Sequence, residues 1–165
     1  MTPPFSFRPA TIDDGEFVLA LFARDHVRPF AHGPRSIEDY ASSLGKPGKE
    51  NLILERAGEP FGNLCLGTAM PWLLEFQVIA VWENGAGAGR YAMQYAIWRA
   101  FDDLGANRIY LEVVAENARA RALYERAGFT AEGLFRSGYE ADDGTFHDMI
   151  PYGMLASDPR QSFLK

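Results

Sequence analysis

A glycine-rich stretch, residues 84–89 (NGAGAG), stands between an apolar run and a helical pattern in the middle of the chain. Its glycines, Gly85, Gly87 and Gly89, alternate with alanine, and glycine loses more backbone entropy on folding than any other residue. We therefore expect this bare backbone to approach a ligand closely rather than to act as a slack connector. Because a helix start presents free N–H groups at the positive end of its dipole, the ligand indicated is an anion, above all a phosphate.

The spacing separates three classes of phosphate ligand. A nucleoside triphosphate loop needs a lysine directly after its last glycine, and Arg90 follows Gly89 here. A dinucleotide loop of the G-x-G-x-x-G type, read from Gly85, requires glycine at the position of Arg90. The pyrophosphate of coenzyme A is the third class, and it has neither requirement.

Hydrophobic periodicity around this loop predicts a mixed α/β chain. The predicted strands are residues 5–12, 51–58, 59–67, 72–81 and 108–116, followed by two strands around the turn Asp143-Gly144 within 129–155. The predicted helices are 13–22, started by a capping box of Asp13 and Glu16, 37–44, started by Ser36, about 90–104, and the helix within 117–128. The strand 72–81 is mostly apolar, so we expect it to be buried on both faces.

Two motifs together resemble the GNAT N-acetyltransferases. Residues 84–89 resemble that family's [QR]-x-x-G-x-[GA] cofactor loop, with Asn84 in place of the usual Arg or Gln. Residues 117–129 (NARARALYERAGF) resemble its N-x-x-A-x-x-L-Y-x-x-x-G-F signature, one helix and one strand further on. The resemblance implies one acyl-CoA N-acyltransferase domain over residues 1–165, with the α/β (α+β) GNAT fold. That fold has a central mixed, mostly antiparallel twisted sheet of about seven strands flanked by about four helices.

The resemblance also implies acetyl-CoA as co-substrate. Its pyrophosphate would bind the glycine loop, its pantetheine arm the preceding strand, and arginines the phosphates. The cofactor-binding residues so implied are Val78, Ile79, Val81, Asn84, Gly85, Ala86, Gly87, Ala88, Gly89, Arg90, Asn117, Arg121 and Tyr124. Asn117 also suits an N-cap of the following helix.

The catalytic residues implied by the resemblance are Tyr124, Glu112 and Glu75. Tyr124 would protonate the departing thiolate, and Glu112 or Glu75 would act as general base through water. Glu112 lies mid-strand among apolar residues, where a carboxylate is costly unless it is neutral or paired. We expect a raised pKa there, with a salt bridge to Arg108 or Arg136 as the alternative.

Composition limits the partners. The formal net charge of −6 does not support nucleic-acid binding. One cysteine, Cys65, excludes an intrachain disulfide, and the three histidines lack metal-ligand spacing, so we expect no metal. We find neither a secretory signal nor a membrane-length apolar run, and we expect a cytoplasmic protein without a membrane partner, leaving a homodimer open.

The function implied is acetyl transfer from acetyl-CoA to a primary amine by direct attack. The acceptor would be a protein or peptide N-terminal amine, or an amino sugar or other small amine. Residues 24–45 and the last hairpin, which the motifs fix least, are expected to select it. The alternative is a catalytically inactive CoA-binding sensor or interaction module.

Overall fold

The computed structural model describes residues 5–160. Within that range four α-helices and eight strands follow one another in mixed order. The helices are α1 (Gly15–Phe22), α2 (Ile37–Ser43), α3 (Ala88–Trp98) and α4 (Ala118–Ala127). The strands are β1 (Phe5–Pro9), β2 (Lys49–Arg56), β3 (Glu59–Met70), β4 (Leu73–Val81), β5 (Arg108–Val114), β6 (Thr130–Ala131), β7 (Phe135–Glu140) and β8 (Phe146–Leu155).

The strands are hydrogen-bonded in the order β1-β2-β3-β4-β5-β8-β6, and β7 also pairs with β8. The β4–β5 pair is parallel, whereas β1–β2, β2–β3, β5–β8, β6–β8 and β7–β8 are antiparallel. The predicted mixed, mostly antiparallel α/β fold with four helices is therefore confirmed. The sheet contains one strand more than the expected seven because the short strand β6, which has no periodicity of its own, adds to β8.

The chain divides into two compact units. The first comprises Met1–Gly67 and Gln77–Ala92. One of its apolar clusters joins α1 and α2 to β2 through Val18, Leu21, Tyr40 and Ile53. A second cluster joins β1, β2 and β3 to the start of α3 through Phe5, Leu54, Phe61 and Ala88. The loop and helix start that carry the glycines are thus fastened to the sheet of their own unit.

The second unit comprises Thr68–Phe76 and Met93–Lys165. Its β4–β5 ladder has three pairs, from Leu73–Arg108 to Glu75–Tyr110, whereas β5 pairs with β8 along seven residues. Side chains of β4, β5 and β8 form its fully buried core: Leu74, Ile109, Leu111, Tyr152 and Met154.

Three local predictions differ from the structure. The first helix is preceded by a 3-10 turn, Ile12–Asp14, whose capping box is formed by Thr11 and Asp14 rather than by Asp13 and Glu16. Asp14 is selected because it also accepts two bonds from the guanidinium of Arg8, at 2.8 and 2.6 Å. The third helix begins at Ala88 and continues into a π-helical turn, Arg99–Asp103. In β4 only one face is fully buried, because side chains alternate along a strand.

None of the helices in residues 5–160 is long and apolar enough to cross a membrane.

Candidate functional site

The glycine loop takes a conformation that only glycine adopts readily. Gly85 and Gly87 have φ angles of +94° and +84°, in the left-handed region where other residues are strained. A Cβ atom added at either position would meet nothing within 4 Å, so the backbone conformation, and not packing, requires glycine there. The loop surface at both residues is therefore open to a ligand.

The start of α3 supplies anion donors. The amide of Tyr91 bonds to the carbonyl of Gly87 at 3.0 Å and closes the first helical turn. The amides of Ala88, Gly89 and Arg90 precede it and so lack acceptors within the helix. Ala88 is buried, and Tyr91 stacks on Phe7 with ring centroids 5.5 Å apart, so packing holds this turn in place. Arg90 is exposed.

Along the end of β4, the backbone N–H and C=O groups of successive residues point alternately to the two edges of the strand. The amide of Trp82 bonds to the carbonyl of Phe61 in β3, and the Ala80 carbonyl lies 2.7 Å from the Cβ position of Gly62. Backbone groups of even-numbered residues, including Val78, therefore point towards β3. Those of Ile79 and Val81 point the other way, and the Val81 carbonyl accepts a bond from His26 Nε2 at 2.9 Å.

Tyr124 is a buried phenol on α4. It is 6% exposed, and its ring lies against Phe76, Phe129 and Tyr152 at centroid distances of 6.3, 6.3 and 6.0 Å. Burial raises the pKa of its hydroxyl well above the usual value of 10.0. Tyr124 is therefore a protonated donor at any physiological pH.

Glu75 and Glu112 share one face of the β4–β5 pair with Tyr110. Glu75 and Tyr110 are opposite each other in the ladder, and the Tyr110 hydroxyl donates to Glu75 Oε1 at 3.1 Å. Partial burial, the charge of Glu75 and its accepted bond raise the Tyr110 pKa to about 12. The expected raised pKa of Glu112 is present, caused first by desolvation and then by the charge of Glu75.

Glu112 differs from expectation in its surroundings. The side chain as a whole is exposed, because the apolar neighbours Leu111 and Val113 point to the opposite face of β5. Its alternative role as the partner of Arg108 is not found, since Arg108 forms a two-bond ion pair with Glu132. Glu112 thus keeps its carboxylate accessible while its proton affinity is increased.

Alternation also assigns faces to the candidate groups of the second unit. Leu74 and Phe76 point to the buried side of β4, and Tyr124 contacts Phe76 there. Glu75 points to the other side, as does Glu112 relative to the buried Leu111. The proton donor and the two candidate bases therefore belong to opposite faces of the β4–β5 pair.

The first turn of α4 contains the N-cap Asn117 and an arginine, Arg121, that already forms a hydrogen bond to the backbone. The Asn117 side chain accepts a bond from the amide of Ala120 at 3.1 Å, which confirms its role as N-cap. Its carboxamide N–H₂ group takes no part in that bond. Arg121 donates to the carbonyl of Ala115 at 3.1 Å through Nη1, and its Nε is buried without a partner among the described residues.

Three residues come together at the end of β4, and no sequence motif links them. The guanidinium carbon of Arg24 lies 4.3 Å above the Trp82 ring, and His26 bonds to Val81. No periodicity or motif links residues 24–26 to residues 81–82. The one signal in the sequence is Trp82, a large aromatic residue next to the glycine loop. The single cysteine, Cys65, donates to Asn51 Oδ1 at 2.9 Å, and burial raises the pKa of its thiol to about 11. Within residues 5–160 no group of three metal-ligating side chains comes together.

Comparison with known proteins agrees with these features. The Vibrio cholerae spermidine N-acetyltransferase, solved in complex with CoA and spermine, is 23% identical, with a TM-score of 0.81 over 98% of this chain and 99% of that one. Its likeness concerns the fold. In sequence, the Bacillus subtilis protein YdaF, named as a ribosomal N-acetyltransferase, is 35% identical over 72 residues, or 44% of this chain and 39% of its own.

A second relative, the Vibrio cholerae spermidine N(1)-acetyltransferase, is 42% identical over 60 residues, or 36% of this chain and 35% of its own. The chain thus spans well under half the length of these two relatives. The sequence model of the acetyltransferase (GNAT) family matches residues 16–129, from α1 to just past the end of α4. This match includes both the glycine loop and Tyr124. The chain belongs to the GNAT family of acetyltransferases, whose acyl donor is acetyl-CoA.

Proposed function

We propose that this chain, as one domain over residues 1–165, transfers the acetyl group of acetyl-CoA to a primary amine. The observation that carries the proposal is the pair of left-handed glycines, Gly85 and Gly87, at the start of α3 in a chain of the GNAT family. Their open surface and the free amides behind them fit a pyrophosphate.

The co-substrate would be held by backbone groups more than by side chains. Residues 84–90 and the first turn of α3 would bind the pyrophosphate, with Arg90 and Arg121 contacting phosphate oxygens. Ile79 and Val81 would offer their amides to the pantetheine arm and the thioester carbonyl, whereas Val78 would contribute its side chain. A fixed amide donor of this kind lowers a barrier by about 2.7–4 kcal/mol in comparable sites. The N–H₂ group of Asn117, which the helix cap does not use, would bond the same arm.

Tyr124 would serve the leaving group. Its hydroxyl is protonated because burial of the residue raises the hydroxyl pKa, so it can donate to a thiolate. A thiol has an ordinary pKa of about 8.5 and a phenol of about 10. Because the raised pKa makes complete proton transfer costlier than it is for an ordinary phenol, we propose a hydrogen bond that stabilises the sulfur charge as the main contribution.

The acceptor amine must be neutral to attack. Glu112 or Glu75 would take its proton through water, and the raised pKa of Glu112 makes it a stronger base than an ordinary carboxylate. Deprotonating a lysine of pKa about 10.4 beforehand at pH 7 costs about 4.6 kcal/mol, against about 1 kcal/mol for an α-amine. We therefore favour a protein or peptide N-terminal amine, an amino sugar or another small amine of low pKa.

A panel of amines tests this function. Acetyl-CoA is mixed with the protein and with an N-terminal peptide, an amino sugar, a lysine peptide or spermidine, while thiol release and acetylated product are measured. We expect release with at least one amine, and the α-amines and amino sugars to exceed the lysine peptide. Binding of acetyl-CoA with no release for any amine would support the sensor function instead.

A further inference from the structure

Arg24 is a half-buried cation with unused donors. Its Nε–H is inaccessible to solvent and lacks a hydrogen-bond partner, and no carboxylate pairs with its guanidinium among residues 5–160. Leaving a buried donor unbonded is unfavourable, so an acceptor group bound beside Arg24 would stabilise this arrangement.

The guanidinium of Arg24 also lies over an aromatic ring. Its central carbon lies 4.3 Å from the centre of the Trp82 ring, and Phe17 stacks on the same indole at 5.7 Å and 23°. The bond from His26 to the Val81 carbonyl ties the segment after α1 to the residue before Trp82. The N–H groups of a guanidinium lie in its own plane, and over an aromatic ring they remain available to two oxygens of a carboxylate or phosphate.

The surrounding segment is cationic in an acidic protein. Residues 24–35 contain three arginines and one aspartate, whereas the whole chain has a net charge of −6. Arg28 and Arg35 in this segment are exposed, and Arg24 alone of the three is half-buried and stacked. This segment joins α1 to α2 and lies within the part of the chain expected to select the acceptor.

We propose that Arg24 recognises an anionic group, a carboxylate or a phosphate, carried by the acceptor amine. The inference rests on the proposed acetyl transfer and specifies its substrate class: a primary amine that also bears a negative group, not a polycation. The phosphates of the coenzyme are the other source of such an anion. The loop amides and Arg90 already provide donors for those phosphates, which leaves Arg24 for the acceptor.

Matched acceptors test the charge requirement. We compare glucosamine 6-phosphate with glucosamine, and the amidated dipeptide Ala-Glu with Ala-Gln, because the members of each pair share the attacking amine and differ by one anionic group. We expect kcat/KM to be about 10- to 100-fold higher for the anionic member of at least one pair, the size of a charge-assisted two-point contact. The pair that shows it identifies phosphate or carboxylate. Equal values within both pairs, or preference for spermidine, would overturn the inference.

Variants assign the preference to Arg24. Arg24→Gln should raise KM for the preferred anion about 10- to 100-fold and leave both the neutral acceptor and the Kd of acetyl-CoA unchanged. Arg24→Lys should recover only part, because an ammonium lacks the planar fork. Arg28→Gln, an exposed arginine of the same segment, is the control and should keep the preference. Thermal unfolding of each variant shows that the fold is intact.

The outcomes separate the two proposals. If amines are acetylated but Arg24→Gln weakens acetyl-CoA binding instead, Arg24 contacts the coenzyme and the inference is wrong, whereas the proposed function stands. If Arg28→Gln loses the preference equally, the charge acts diffusely and the inference is wrong. If no amine of either charge is acetylated, the proposed function itself fails.

Discussion

Tyr124 shows how burial changes the chemistry of one side chain. An exposed phenol would exchange its proton with a thiol at modest cost, but aromatic neighbours surround this one and raise its pKa. A hydroxyl that stays protonated stabilises a developing negative charge without itself ionising. We therefore predict that the Tyr124 hydroxyl donates a hydrogen bond to the departing thiolate and keeps its proton.

Replacing Tyr124 with phenylalanine removes only the donor. The ring contacts with Phe76 and Tyr152 remain, so the free energy of unfolding should change by less than about 1 kcal/mol. We expect kcat to fall roughly 10²-fold, in the range of a positioned proton donor, with the Kd of acetyl-CoA unchanged. Steady-state kinetics and calorimetry measure these two quantities. An unchanged kcat would remove Tyr124 from this role.

The pH dependence of turnover distinguishes the two candidate bases. Glu112 must be deprotonated to accept a proton, and its raised pKa moves the loss of activity to a higher pH than that of an ordinary carboxylate. We expect kcat to be full above this pKa and to fall as the pH decreases through it. Glu112→Gln should lower kcat and abolish that limb.

Glu140→Gln, an exposed glutamate of β7, is the matched control and should leave the profile unchanged. If the limb persists in Glu112→Gln and disappears in Glu75→Gln, the base is Glu75. That result would reverse our preference.

At the scale of elements, the glycine loop is a strand end, a turn and a helix start that work together. Packing of Ala88 and Tyr91 fixes the start of α3, and Gly85 and Gly87 turn the backbone so that amides precede it. The loop contributes geometry, and its side chains contribute little.

Gly87→Ala tests whether the loop conformation is needed for acetyl-CoA binding, separately from its effect on stability. Alanine at a φ of +84° is strained by about 1–2 kcal/mol, although no neighbouring atom opposes the added methyl group. We expect that loss of unfolding free energy together with at least a tenfold weaker Kd for acetyl-CoA.

Gly45→Ala provides the comparison, since Gly45 also has a positive φ, +66°, and open space around it, and it lies after α2. It should lose similar stability and keep the Kd. Equal losses of affinity in both variants would attribute the effect to stability alone.

The turn before α1 is held by one carboxylate. Asp14 is 6% exposed, accepts two bonds from Arg8 and accepts the amide of Thr11 at 2.8 Å. Asp14→Asn should cost about 2–3 kcal/mol of unfolding free energy, less than a fully buried pair because Arg8 is partly exposed. Urea unfolding measures it, and the exposed Asp13→Asn should change stability by less than about 0.5 kcal/mol.

The pKa of Asp14 adds a pH signature. Arg8 lowers this pKa below 3.8, so the contribution is complete above that pH and is lost as the pH falls through the lowered value. The difference in stability between wild type and Asp14→Asn should therefore shrink in acid. A difference that is constant with pH would contradict the ion pair.

At the scale of the whole molecule, the sequence predicted the fold better than the surroundings of single residues. Periodicity located every main strand and helix, and Asn117 and Gly128 ended α4 as local rules require. The strand β6 and the capping pair Thr11–Asp14 were missed because they depend on partners distant in sequence, β8 and Arg8.

The site was predictable only where a local pattern carries it. The glycine loop and the helix of Tyr124 have fixed spacings, and the family match spans both. The exposure of Glu112 follows from which face of β5 is covered, which the apolar run conceals. The contact of Arg24 with Trp82 joins residues nearly sixty positions apart, so it could not be predicted from local sequence patterns.

We propose that this chain catalyses transfer of the acetyl group from acetyl-CoA to a separate acceptor amine. The most direct measurement is the stoichiometry of one reaction, with released coenzyme A thiol and acetylated amine quantified together over time. We predict equal amounts of both, dependent on the amine and strongly reduced in Tyr124→Phe. Thiol release without acetylated amine, or bound acetyl-CoA with neither product for any amine tested, would contradict the account.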